Sequence, residues 1–315
     1  MQFFKETKIN FVGHRLQFFY ISSIMNVVGL LAIITGFMGL HFLEPDYGID
    51  FTGGTEIAVA FKMPVSTETL RKLMEDELKG KTSEPEIKSF GSANQYLIRI
   101  TDGNEGPKIV KEALVKKYTS SQFEILKVDK IGPKIGNEMR TNALFAIFLA
   151  IGAMLLYTTF RFEFTFGLGA IIAIFHDVIV TITIILIVNK LRIINLEVNQ
   201  GMLAALLTVI GFSVHDTVIV FDRIRENREK FKAMPFINLI NLSINETLSR
   251  TINTVLTVVL VLLTIVVFGG PVLQGFAFTM LIGILVGTYS SIFIASSFVI
   301  WYTDKKGLLP ATTGK

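Results

Sequence analysis

The chain contains no cysteine, which excludes disulfides, thiolate metal centres and a cysteine nucleophile while saying little about compartment. It has four histidines but no His-Glu-x-x-His. In both His176-Asp177 and His215-Asp216 the neighbours are one helical step of about 100° apart, so their side chains point to different faces. Neither a metal site nor a cofactor is expected from that set. The glycine-rich stretch Gly48-Ile-Asp-Phe-Thr-Gly-Gly54 lacks the Lys-Ser or Lys-Thr ending of a phosphate cradle, and no helix is expected directly after it. The basic residues behind the net charge of +4 form no stripe on a soluble face, so nucleic acid is not indicated as a partner. No small-x-small cleavage site follows the first apolar run, and its core exceeds the roughly 7 to 15 residues of a signal peptide. That run is expected to stay as an anchor.

What the chain has is apolar length. Hydrophobic residues make up 51% and the mean hydropathy is +0.55, concentrated in long blocks, so the chain reads as a polytopic α-helical membrane protein. Six candidate spans run from Leu16 to Phe42, Asn142 to Phe160, Phe164 to Val188, Val198 to Phe221, Leu248 to Phe268 and Gly275 to Tyr302. Each is near or above the roughly 20 residues that cross a bilayer. Lys and Arg in short flanks mark the cytoplasmic side. Placing the N-terminus inside gathers Lys5, Lys8, Arg15, Arg161, the cluster from Arg223 to Lys232, and Lys305 with Lys306 on that side. The expected layout is a cytoplasmic segment 1–15, a first helix within 16–43, an extracytoplasmic domain 44–140, helices two to six within 141–302, and a cytoplasmic tail 303–315. Residues 222–247 combine mixed charge with Phe231, Phe236, Ile237, Leu239, Ile240, Leu242 and Ile244. They read as an amphipathic connection on the bilayer surface or as a protein-docking helix.

The long segment between the first two spans reads as a folded domain. Thr55 to Phe61 alternates like a half-buried strand, and Pro64 with Ser66 or Thr67 opens a helical pattern through Leu70, Leu73, Met74 and Leu78. Glu86 to Phe90 and Tyr96 to Ile100 read as strands, and Asp102-Gly103 as a turn. Pro107 opens a second helix, and Phe123 to Val128 is the last strand. The order β-α-β-β-α-β predicts an α+β, ferredoxin-like domain. Ahead of it, Gly48, Gly53 and Gly54 permit unusual backbone angles, while Asp50 and Thr52 can bond nearby main chain, which suits a tight hinge.

Inside the membrane, three stripes of small and polar residues recur at helical spacing. They are Ala170, Ala173, Asp177 and Thr181; then Arg250, Thr254, Thr257 and Thr264; then Gly283, Gly287, Ser290 and Ser297. Each is expected to face other helices rather than lipid. Asp216 is a carboxylate inside an apolar run, and charged groups there mark ion pathways, proton relays or polar partner contacts. Helical rise places Asp216 roughly 8 Å inside the cytoplasmic end of its span and Arg250 a few Å inside the same end of the next. Burial favours the neutral acid and a nearby guanidinium favours the carboxylate, so a change in their distance can switch a proton; a static ion pair is the competing reading. His176 and His215 read as hydrogen-bonding residues, and His14 and His41 as residues of the membrane interface.

These segments, with Ile131-Gly-Pro133, Gly169 to Asp177, Asp216 to Asn227, Arg250-Thr-Ile-Asn-Thr254 and Gly287-Thr-Tyr-Ser-Ser291, resemble in order the motifs of the SecF family. The resemblance spans nearly the whole chain. It implies one half of a resistance-nodulation-division (RND) type membrane domain in the bacterial inner membrane, paired with SecD. It also implies association with the SecYEG channel and YajC, indirect work with SecA, and proton-driven promotion of preprotein export. In that family the positions of Asp216 and Arg250 belong to the proton path. Asp177 matches a family position too, where structural support and proton handling are both open. His215 stands where many members carry Asn. An intramembrane aspartyl protease would also carry two aspartates on adjacent helices, but the chain lacks a Gly-x-Gly-Asp pattern. A scaffold without proton chemistry and a small-molecule exporter are two further readings of the same layout; no enzymatic activity is expected.

Overall fold

The computed structural model describes residues 7–37, 43, 45–78, 85–89, 94–100, 106–119, 121–191, 193, 194 and 196–306. His41 and the Asp102-Gly103 turn lie outside them. The elements form two compact units.

The α+β unit covers residues 46–145 together with Glu197–Gln200. A short helix α2 (Ile49–Thr52) leads into β1 (Gly54–Phe61), α3 (Thr67–Leu78), β2 (Glu86–Ser89), β3 (Gln95–Ile100), α4 (Gly106–Lys117) and β4 (Phe123–Ile131). The sheet order is β2-β3-β1-β4 with every pairing antiparallel, which is the split β-α-β layout expected from the pattern. Ser66 ends the preceding loop, and its Oγ accepts the Thr69 N–H at 3.1 Å, capping α3. Leu70, Met74 and Leu78, four residues apart, lie on one buried face of α3; Val110 and Leu114 do the same on α4. Both helices cover Ile57, Val59, Phe61, Ile98 and Ile100 from the sheet. Each such side chain taken from water contributes roughly 1.5–3 kcal/mol. The opposite sheet face carries Glu56, Lys88 and Arg99, whose pairing is described below.

The helical unit contains α1 (Phe11–Phe37), the later part of α5 (Pro133–Arg161), α6 (Phe164–Lys190), α7 (Gln200–Lys230), α8 (Phe236–Phe268), α9 (Gly270–Ser290), a π turn (Ser291–Ala295) and α10 (Ser296–Lys305). Among the described residues six helices are long and apolar enough to cross a membrane. Burial reaches 61% of the most apolar window of α6 but 11% in α5 and 17% in α8, so α6 is the central span and the other two are peripheral. Lipid supplies no hydrophobic drive for helix association, so close backbone approach does that work. At Gly283 an added Cβ would sit 2.4 Å from a Val209 methyl, and at Gly29 2.1 Å from Thr183 Oγ1.

Three sequence expectations change. Residues 222–247 are not a separate surface helix: α7 continues to Lys230, α8 starts at Phe236, and a short turn joins them. Arg223, Glu226 and Lys230 pair along α7 and sustain its helix beyond the apolar run. Leu239, Ile240 and Ile244 are buried against Phe221, Ile224 and Phe166 rather than turned to lipid. The stripe of Arg250, Thr257 and Thr264 on α8 faces outward from the chain, with Thr254 half-buried; the inward face carries Thr251, Val255 and Leu262. On the last span Gly283, Gly287, Ser290 and the adjoining Ser291 face inward, but beyond them Ser296, not Ser297, is the buried serine. The π turn inserts one extra residue and moves the phase; Ser296 Oγ donates to Ser291 O at 3.0 Å across it.

Candidate functional site

Helices α6, α7 and α9 meet at Asp177, which is 1% exposed. The spacing Ala170, Ala173, Asp177, Thr181 turns one face of α6 inward, and all four are buried. Asp177 Oδ1 lies 2.9 Å from His176 Nδ1. Its Oδ2 accepts from Ser290 Oγ of α9 at 2.9 Å and, through a short hydrogen bond, from Ser213 Oγ of α7. One carboxylate thus ties three spans with partners on both oxygens, the arrangement that makes a buried acid tolerable. His176 is also buried, and its Nε2 has no hydrogen-bond partner among the described residues. Its ring lies beside that of Tyr289, whose hydroxyl pairs with Ser22 Oγ at 2.8 Å and donates to Phe18 O of α1.

Asp216 is treated differently. It is also 1% exposed, yet Oδ2 accepts only from Thr288 Oγ1, at 3.1 Å, and Oδ1 is buried with no hydrogen-bond partner among the described residues. Arg250 and His215 are its charged or chargeable neighbours, but no ion pair within 4.0 Å joins Arg250 to Asp216. Arg250 and His215 are both exposed on the chain's surface. Thr254 Oγ1 bonds back to Arg250 O at 3.0 Å and Thr257 Oγ1 to Thr254 O at 2.7 Å, so neither reaches Asp216. The last turn of α9 serves both acids: Thr288 touches Asp216 and Ser290 touches Asp177. Of these hydroxyls the sequence singled out only Ser290, in a stripe of small residues suited to packing; Thr288 and Ser213 carried no signal as partners of an acid.

In the α+β unit, the glycine motif is pinned on several sides. Gly53 has φ +73° and Gly54 φ +123°, conformations that favour glycine, whereas Gly48 has an ordinary φ of −66°. A Cβ on Gly53 would stand 2.7 Å from Pro133 Cα, at the start of α5. Thr52 Oγ1 bonds Gly48 O at 3.1 Å, as expected, but Asp50 Oδ2 accepts the N–H of Gln200 at 2.8 Å, far along the chain. Beside this junction Arg99 donates to Tyr47 O, Glu56, Glu86 and Glu197, while Lys88 contacts Asp46, Glu86 and Glu197. Burial opposes charge on both cations, but Glu197 with Asp46 holds the Lys88 ammonium above its ordinary range, and Glu197 with Glu56 does the same for Arg99. Burial, partly offset by Arg99, pushes the Glu56 carboxyl up. Glu197 had no sequence signal as a partner of this sheet.

Two family models match the chain: the C-terminal region of protein export membrane protein SecD/SecF over residues 110–305, and the SecD/SecF GG motif over residues 45–65. The chain is 37% identical over 303 residues to protein translocase subunit SecF of Rhodothermus marinus, covering 95% of each chain. It is 39% identical to the SecF subunit of Thermodesulfovibrio yellowstonii, covering 95% of this chain and 96% of that one. Among solved structures it is similar to SecDF, described as a translocon-associated membrane protein, from Thermus thermophilus. The TM-score is 0.80 at 33% identity, over 95% of this chain and 39% of that one. The chain therefore spans about two fifths of that longer protein.

Proposed function

The chain belongs to the SecD/SecF family of protein-export membrane proteins, and we propose that it is the SecF half of a proton-driven accessory to the Sec export channel. A SecD-type protein supplies the other half; in the SecDF relative of Thermus thermophilus a single chain carries the SecF-like part. The observation that carries this reading is Asp216: a buried carboxylate with one oxygen unpartnered among the described residues, which feels the positive charge of Arg250 without forming an ion pair with it. A buried acid with few fixed partners can exist in two protonation states at modest cost, and movement of Arg250 biases the choice. Exposed Arg250 and His215 on membrane spans need a polar or protein neighbour, which is the place for the SecD-type helices.

The α+β unit lies on the outer side of the bacterial inner membrane, both termini lie in the cytoplasm, and SecYEG with YajC is the assembly served. SecA drives the preprotein in, and this complex draws it out. Proton entry at Asp216 releases or recruits Arg250, shifts the helices, and moves the outer unit with them. The membrane potential supplies about 2.3 kcal/mol per elementary charge per 100 mV, so a few protons suffice for such a shift. Asp177, with both oxygens bonded, is the fixed post of the bundle. The test is Asp216→Asn in vesicles with the assembled partner. Proton-stimulated export should vanish while assembly is retained; full stimulation rejects the role.

A further inference from the structure

Four residues of the α6–α7 connection, Glu197–Gln200, are built into the α+β unit. Main-chain bonds hold them on one side: Gly48 N–H donates to Val198 O at 3.0 Å, and Val198 N–H donates to Asp46 O at 2.7 Å. Asp50 meets the N–H of Gln200, the first residue of α7, where a helix end favours negative charge. On the other side Glu197 bridges two cations of the sheet. One oxygen accepts from Lys88 Nζ at 2.9 Å and the other from Arg99. Arg99 is 9% exposed at its side chain, Glu197 16% and Lys88 21%. Pairs this enclosed add little net stability against an apolar replacement, but a displaced member leaves a charge without its counter-ion, so they define position strongly.

We infer that Glu197, gripped by Arg99 and Lys88, is a positioning residue that clamps the start of α7 to the α+β unit, so that motion at Asp216 is delivered to that unit. This rests on the proton-driven reading above. Helix α7 runs unbroken from Gln200 to Lys230, and Asp216 lies about 24 Å along it from the clamp. Its sequence contains no proline and the helix no π turn, so a shift of the proton-binding segment reaches the first turn with little bending. An apolar contact could slide there. A bidentate carboxylate between two cations, backed by two main-chain bonds, cannot slide without breaking several bonds at once.

The test uses the chain assembled with its SecD-type partner in membrane vesicles. Glu197→Gln keeps the shape and removes the charge. Amide hydrogen exchange over residues 46–50 and 197–201 should quicken by about tenfold or more, and proton-stimulated export should fall by about threefold to thirtyfold with assembly intact. Because the chain has no cysteine, Tyr47→Cys with Val198→Cys creates a single possible crosslink between the residues that form the parallel bridge. Its oxidation should restore stimulation in the Glu197→Gln background and leave the otherwise unaltered chain active. Unchanged exchange or unchanged stimulation in Glu197→Gln overturns the inference. So does loss of export on crosslinking the unaltered background, since the clamp would then have to open. Retained stimulation in Asp216→Asn defeats the proton-driven reading instead, and the exchange measurement still decides whether Glu197 holds the connection.

Discussion

The two buried aspartates should separate cleanly in a stability measurement. Asp177 accepts from hydroxyls on two other spans and pairs with His176; hydrogen bonds to a charged group contribute about 1.5–3 kcal/mol each. Ser290 can turn to Gly287 O, which lies at 3.0 Å, so its loss is partly recovered, whereas Ser213 donates to Asp177 in a fully buried position. Asp177→Ala therefore removes a buried network and should cost about 3–5 kcal/mol. For a protein of this size that is a fall of roughly 5–8 °C in the midpoint of thermal unfolding. Asp216 has one hydroxyl partner, Thr288, which can donate to Ile284 O at 2.9 Å instead. Asp216→Asn retains an acceptor and should cost less than about 1 kcal/mol. The assay is thermal unfolding in detergent, with all variants scanned at one rate because membrane proteins of this size unfold irreversibly. Equal losses in the two variants, or a wild-type midpoint for Asp177→Ala, would refute the division into a structural acid and a working acid.

Gly53→Ala forces a φ of +73° on a residue with a Cβ and drives that Cβ to 2.7 Å from Pro133 Cα. Backbone must shift, and a loss of about 2–3 kcal/mol or more is expected in the same unfolding assay, against little effect for Gly132→Ala, where nothing stands within 4 Å. Gly283→Ala would put its Cβ 2.4 and 2.7 Å from the two methyls of Val209 and 3.0 Å from its Cβ, a stiff β-branched side chain; it should cost about 1–3 kcal/mol, with Val209→Ala recovering much of it in a double-mutant cycle. Lys88 has its charged form favoured beyond its ordinary value of 10.5. Its contribution is therefore complete below that pH and is lost as pH rises through the raised value, and Lys88→Met should remove this alkaline component of the unfolding profile.

The spans were legible because lipid imposes a long, uninterrupted apolar run, and the α+β unit because strands and helices bury residues at periods of two and of three to four. Helix ends were less legible. The charges after Phe221 mark where the apolar run stops, but Arg223, Glu226 and Lys230 are good helix formers that pair along the same helix, so α7 continues. Asp216 stood out as a charge inside an apolar run and was paired with Arg250 by depth, which gives height along the bundle but not rotation about the helix axis; the spacing of the Arg250 stripe gave a common face but not its direction, and that face is exposed on the chain. Ser290 read as a packing residue and Ser213 went unremarked because a small side chain at a helix crossing has the same signature whether or not its hydroxyl is used. Glu197 and Arg99 are 98 positions apart, and no local pattern joins them.

The π turn has a consequence for tolerance to change in the last span. Deleting one residue between Ser291 and Ala295 would leave a regular helix, with no break in its hydrogen bonding and no change in its apolar composition. Because the wide turn takes up its extra residue within itself, every later residue would keep its rotation. Val299 and Ile300 would stay in the cluster with Phe166 and Phe221. The same deletion beyond Ser296, where the helix is regular, would swing both by about 100° and empty that end of the bundle, although a hydropathy profile would score the two spans alike.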